Sequence, residues 1–237
     1  MPKITLRLAI AFFTFAIGIA ATALWLTRRA HKVETPARPA CQWLASGDNI
    51  SYNRFPNDVY FPAGVFMPDE SSEKYGARDS SSLLHTMDEP SLSSLNDNNL
   101  EVYRFLWRRS FHPPVVIRLW RSGDERCMSV KQADRIMTDN EYEYSDKLTV
   151  NNTRPLTKGE WEGFIDLIED SQFWSMAAGA AGPTADDGAR WMIEGMRNQK
   201  YHVVNRHNPN DDAYRQAGIY LIRISGIKID ESRNELY

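Results

Sequence analysis

The residues best equipped for chemistry lie close together in "DGARWMIEGMRNQKYHVVNRHNP", positions 187–209. Glu194, His202 and Arg206 supply a carboxylate, an imidazole and a guanidinium, Trp191 an aromatic wall, and His112, beside Pro113 and Pro114, is a candidate from further away. A carboxylate near histidines does general acid or base work when both reach a substrate by hydrogen bonds, so a hydrolase using the Glu194, His202 and Arg206 neighbourhood is one expectation. The other is architectural. Glu194 then pairs with an arginine of a neighbouring strand, Trp191 stacks under Arg206, and His202 hydrogen-bonds at a half-buried position, each worth about 0.5–2 kcal/mol. Binding without catalysis leads, because no set is complete: there is no G-x-S-x-G, and neither cysteine lies in a nucleophile motif.

Metal and cofactor signals are missing too. His31, His85, His112, His202 and His207 form no i, i+4 helical pair, and no C-x-x-C exists. His202 and His207 fall on opposite faces of one strand, where they share an ion only across a bulge. "GAAGPTADDG" lacks the Lys-Ser or Lys-Thr of a phosphate loop and reads as a connector. The reading is therefore no metal and no cofactor.

The elements that must hold these residues follow from periodicity. With Asn198-Gln199 as a two-residue loop, Arg197 faces Lys200, and Glu194, Ile193 and Trp191 oppose Val203, Val204 and Arg206. Trp191, Ile193, His202, Val204 and Arg206 then share one face; Arg190, Met192, Glu194, Tyr201, Val203 and His207 share the other. "NLEVYRFLWRR" reads as a strand, "PVVIRLWRSGDERCMSVK" as two strands around Ser122-Gly123-Asp124, and Lys147 to Thr153 as another. Thr157 and Glu160 make a capping box, with Leu156 stapled onto Trp161 and an apolar stripe of Trp161, Phe164, Ile165 and Ile168. Asn208, Pro209 and the following acids predict a second helix running from there to about Gly226, burying Tyr214, Ala217, Leu221 and Ile224. The sum is an α+β domain: an antiparallel sheet of hairpins packed by a few helices. Tyr52 to Pro68 reads as irregular chain packed on a surface, and the Ser-, Asp- and Asn-rich stretch at 71–99 reads by composition as loop.

"YRFLWRRSFHPPVVIRL", "LTKGEWEGFIDLIEDSQFW" and the 187–209 segment resemble a recurring pattern in bacterial proteins to which no activity attaches. The resemblance covers about residues 60 to 226. It implies one domain, with "YGARDSSSLLHTMDEPSL" helical before the first strand, and it carries over no catalytic residue. Where Asn198-Gln199 stands, the pattern implies Asp-Gly, which takes the positive φ of a tight turn more easily than Gln.

The N-terminus decides location. Leu8 to Thr27 is uncharged over about 20 residues, the length of a helix across a bilayer, and Trp25 with Arg28 and Arg29 suits an interfacial anchor. A cleaved signal peptide ending near Ala21-Thr22-Ala23 is the rival, with a usual apolar region of only about 7–15 residues. The short basic start is that of an export signal, so the expected setting is the bacterial inner membrane, crossed once, with the C-terminal domain periplasmic and a protein or envelope component as partner. Removing Lys3, Arg7, Arg28, Arg29 and Lys32 from the net charge of -3 leaves about -8, which argues against nucleic acid. Cys41 and Cys127 form a disulfide in such a compartment or stand as two separate thiols. The expected organisation is an anchor at 1–32, a linker at 33–58, one domain at 59–228 and a tail at 229–237.

Overall fold

The computed structural model describes residues 41–42, 59–66, 70–138, 141–179, 188–210, 212–230 and 236. The expected anchor, Leu8 to Thr27, lies outside them, and no helix among the described residues is long and apolar enough to cross a membrane.

Six strands form one antiparallel sheet: β1 (Leu100–Arg109), β2 (His112–Ser122), β3 (Glu125–Thr138), β4 (Glu141–Pro155), β5 (Ala189–Arg197) and β6 (Lys200–His207), in the order β4-β3-β2-β1-β5-β6. Three helices join them: α1 (Glu70–Thr86), α2 (Lys158–Asp170) and α3 (Ala213–Ser225). Short turns make β1 to β4 a meander, and α2 carries the chain back so that β5 pairs with β1. Sheet and helices together make the expected α+β class.

Both faces of the sheet are buried, so β1 and β5 show almost no alternation in exposure. On one face, Tyr103, Phe105, Trp107, Ile117, Val130, Trp191 and Ile193 meet Trp161, Phe164 and Ile168 of α2 and Tyr214, Ala217 and Leu221 of α3. The capping box forms as the residue spacing implies: Glu160 N–H donates to the Thr157 hydroxyl, and Thr157 N–H donates to the Glu160 carboxylate. Helix α3 starts later than Asn208. Its N-cap is Asp212, accepting from Arg215 N–H, while Asn208 has φ 46° and accepts the Ala189 N–H at 2.7 Å. An N-cap needs extended backbone, so a left-handed Asn208 closes the end of the β5–β6 ladder instead.

The other face is covered by residues 59–66, α1 and the segment 87–95. Composition alone reads 71–99 as loop, but its first part is α1, and the helix that the resemblance implies over 75–92 extends only to Thr86. Ala77, Ser80, Ser81 and Leu84 form a stripe of buried, mostly small residues. Ser81 hides its hydroxyl by donating to Ala77 O at 2.6 Å and accepting from Tyr60 N–H at 2.9 Å. Cys41, in the expected linker, is bonded to Cys127 of β3, with Cα atoms 5.4 Å apart, and its N–H donates to Glu125 at 2.7 Å.

Candidate functional site

The β5–β6 hairpin has the register counted from its loop. Arg197 faces Lys200, Glu194 faces Val203 and Trp191 faces Arg206, across a turn in which Asn198 and Gln199 both take positive φ, 52° and 60°. That register separates the candidates. Glu194 lies on the face covered by α1, while Trp191, His202 and Arg206 lie on the face covered by α2 and α3.

Trp191 is fully buried. Its ring centroid is 5.3 Å from Phe105 and 5.8 Å from Trp107, and a Cβ on Gly218 would come within 2.5 Å of it, so glycine is what lets α3 approach. The cation over the indole is Arg215 at 5.0 Å, not Arg206. Arg206, on the edge strand, turns to the carbonyls of Ala177 and Ala178 at 2.8 and 3.2 Å, and Asn205 N–H donates to Ala178 O at 2.7 Å. Together they tie the segment after α2 along β6. His202 packs edge-on against Phe173 at 5.0 Å, where burial holds its imidazole below the usual range against the backbone of Met176 and Phe173. His112 is paired with Arg109 at the β1–β2 turn, five residues along β1 from Arg104, the cross-strand partner of Glu194, or about 16 Å.

What the fold does bring together is a buried ionic cluster on the α1 face. Arg104 stands directly opposite Glu194, with Nε and Nη2 at 2.7 and 2.5 Å from Oε2, and Tyr201 donates to Oε1 at 2.9 Å. Glu89, from the loop after α1, accepts from Arg118 at 3.0 Å and meets Lys131 at 2.9 Å and Arg104 at 3.8 Å. Arg104 and Lys131 also donate to the backbone carbonyls of Pro90, Met87 and Asp88. Burial alone would raise Glu89, but Arg118, Lys131 and Arg104 together hold its carboxyl below the usual range. Burial pushes Glu194 up, against the pull of Arg104 and Tyr201. Every charged member is at most 7% exposed, so the cluster is enclosed by protein.

Glu89, Arg104, Arg118 and Lys131 were not among the residues singled out in the sequence. Their signal is nonetheless there. Arg104 in "YRFLW" and Arg118 in "VIRLW" sit on strands with apolar neighbours on both sides, Lys131 in "MSVKQ" follows Val130 on a strand, and a buried charge must be paired.

On the other face, near the β2–β3 turn, a depression of ≈ 220 Å³ is lined by Glu101, Arg121, Arg126, Trp161, Ile165 and Arg197. Glu101 accepts from Tyr103 at 2.8 Å and Arg121 at 2.7 Å, Arg197 bonds Glu169 at 2.7 Å, and Arg121 lies 5.5 Å over Trp161. For metals, the one suitable grouping among the described residues is Cys41, Glu125 and Cys127, whose two sulfurs are spent on each other. Comparison with protein-family models, curated proteins and solved structures yields no match.

Proposed function

We propose that this chain is a membrane-anchored domain held outside the cytoplasm, in the bacterial periplasm, which binds a protein or envelope partner and performs no chemistry of its own. The observation that carries the reading is the division of the candidate residues: Glu194 is buried in an ion cluster on one face, and His202 and Arg206 are engaged on the other. A general base and its partners must converge on one substrate, and these do not. Support for the location comes from the uncharged run Leu8 to Thr27 and from the Cys41–Cys127 bond, since disulfides persist in oxidising compartments.

The test is a C-terminal fusion to a reporter active only outside the cytoplasm, combined with membrane fractionation. Reporter activity in the membrane fraction is the expected result. Activity from a cytoplasmic reporter only, or release into the soluble fraction, would overturn the orientation or the anchor respectively.

A further inference from the structure

Four charged side chains stand in one row across adjacent strands on the face of the sheet that carries α2: Arg197 of β5, Glu101 of β1, Arg121 of β2 and Arg126 of β3. Arg121 is paired with Glu101 on one side and with Arg126 on the other. Two like charges directly opposite on an antiparallel ladder repel. Among the described residues Glu101 answers Arg121 and lies 3.9 Å from Arg197, Glu169 answers Arg197, and Glu162 and Asp166 of α2 form no ion pair with the row. Arg126 has no carboxylate partner among the described residues. Its guanidinium is held by the carbonyl of Asp124 at 2.8 Å, and its Nε–H is buried without an acceptor.

We propose that the depression over this row binds a small oxyanion, the carboxylate or phosphate group of a compact ligand, between Arg126 and the outer edge of Arg121. Guanidinium forks match such groups in geometry and charge, and an anion here relieves the repulsion between the two arginines. The volume of ≈ 220 Å³ lies below the roughly 300–1,000 Å³ of ordinary ligand pockets, so the occupant is a small molecule or the end group of a larger one. Trp161 and Ile165 give it an apolar wall. Glu162 and Asp166 on α2 also line it, which favours a single anionic group, alone or followed by an ammonium, over a polyanion.

The proposal rests on the reading of the domain as a binder and adds a ligand chemistry to it. The test is calorimetric titration of the full-length chain in detergent with acetate and with inorganic phosphate, at ionic strength held constant with chloride. Saturable binding of at least one probe is expected, weakened about tenfold or more in Arg126→Gln, whose melting temperature without oxyanion should equal or exceed that of the parent. Comparing the two probes separates carboxylate from phosphate preference. No saturable binding of either, or unchanged binding by Arg126→Gln, overturns the site alone. Hydrolysis of ester or peptide substrates by the chain would overturn the binding reading alone.

Discussion

The two faces of the sheet are made by alternate residues of the same strands, and they are held by different forces. On the face under α2 and α3, Tyr103, Phe105, Trp107 and Trp191 pack ring against ring, and burial of apolar surface stabilises the layer. On the face under α1, the positions between them carry Arg104, Arg118, Lys131 and Glu194, closed by Glu89 and by the carbonyls of residues 87–90. Ring packing tolerates some change of shape. An ionic cluster in a dry layer does not tolerate loss of a member, because each removal strands a charge. The polar face thereby holds the segment after α1 through the Glu89 carboxylate and the carbonyls of Met87, Asp88 and Pro90.

The largest effects should come from one deletion on each face. Trp191→Ala should cost about 3–5 kcal/mol in urea unfolding, as large-to-small changes in a core do. Glu89→Ala should cost a similar amount, about 3–5 kcal/mol, by leaving Arg118 and Lys131 uncompensated. The two differ in pH dependence. Because the Glu89 carboxyl is held below its usual value of 4.5, the stability it contributes is present above that value and is lost as pH falls further. The gap between parent and Glu89→Ala should thus narrow in acid, whereas the Trp191→Ala gap should not follow that titration. A Trp191→Ala chain of parental stability that has lost ligand binding would show the tryptophan to belong to a site.

A smaller effect is expected at the edge of the α1 face, where the bond between Cys41 and Cys127 closes a loop over a separation of 86 residues. Cys41→Ser should lose about 2–4 kcal/mol. Two alkylatable thiols in chain isolated without reductant from its native compartment would contradict both the bond and the proposed location.

Smaller still is the α2 cap: Thr157→Ala should cost about 1 kcal/mol at neutral pH. The hydrogen bond from Arg154 holds Glu160 down to about 2, helped by Thr157, so the cap's contribution should fade as pH drops from 4.5 towards that value.

The same contrast explains what was legible in the sequence. The ring-packed face could be read from spacing: the hairpin register, the Thr157–Glu160 box and the stripe Tyr214, Ala217 and Leu221 are local patterns with periods of 2 or 3.6. The polar face depends on contacts between residues far apart in the chain, such as Glu89 with Arg118 and Asn205 with the Val65 carbonyl, and local spacing carries no trace of them. Composition alone hides helix α1 for a related reason. Its buried stripe includes Ser80 and Ser81, a residue type whose composition signals a loop and which is buried here with its hydroxyls bonded to Arg108, Ala77 and Tyr60. Glu194 and His202 lie close together on paired strands, and the strand pattern that assigns them to opposite faces does not show what covers either face.

The sheet's buried charges are proposed to hold the fold and not to act on a substrate. The most direct test is a double-mutant cycle on the facing pair Arg104 and Glu194, using Arg104→Met and Glu194→Leu, with stability read by urea unfolding. Each single variant should lose about 3–5 kcal/mol by stranding its partner, and the double variant should lose less than either, since a buried ion pair is often replaced by apolar residues at little cost. Single variants of parental stability that had lost a binding or catalytic activity would contradict the claim and make the pair part of a functional site.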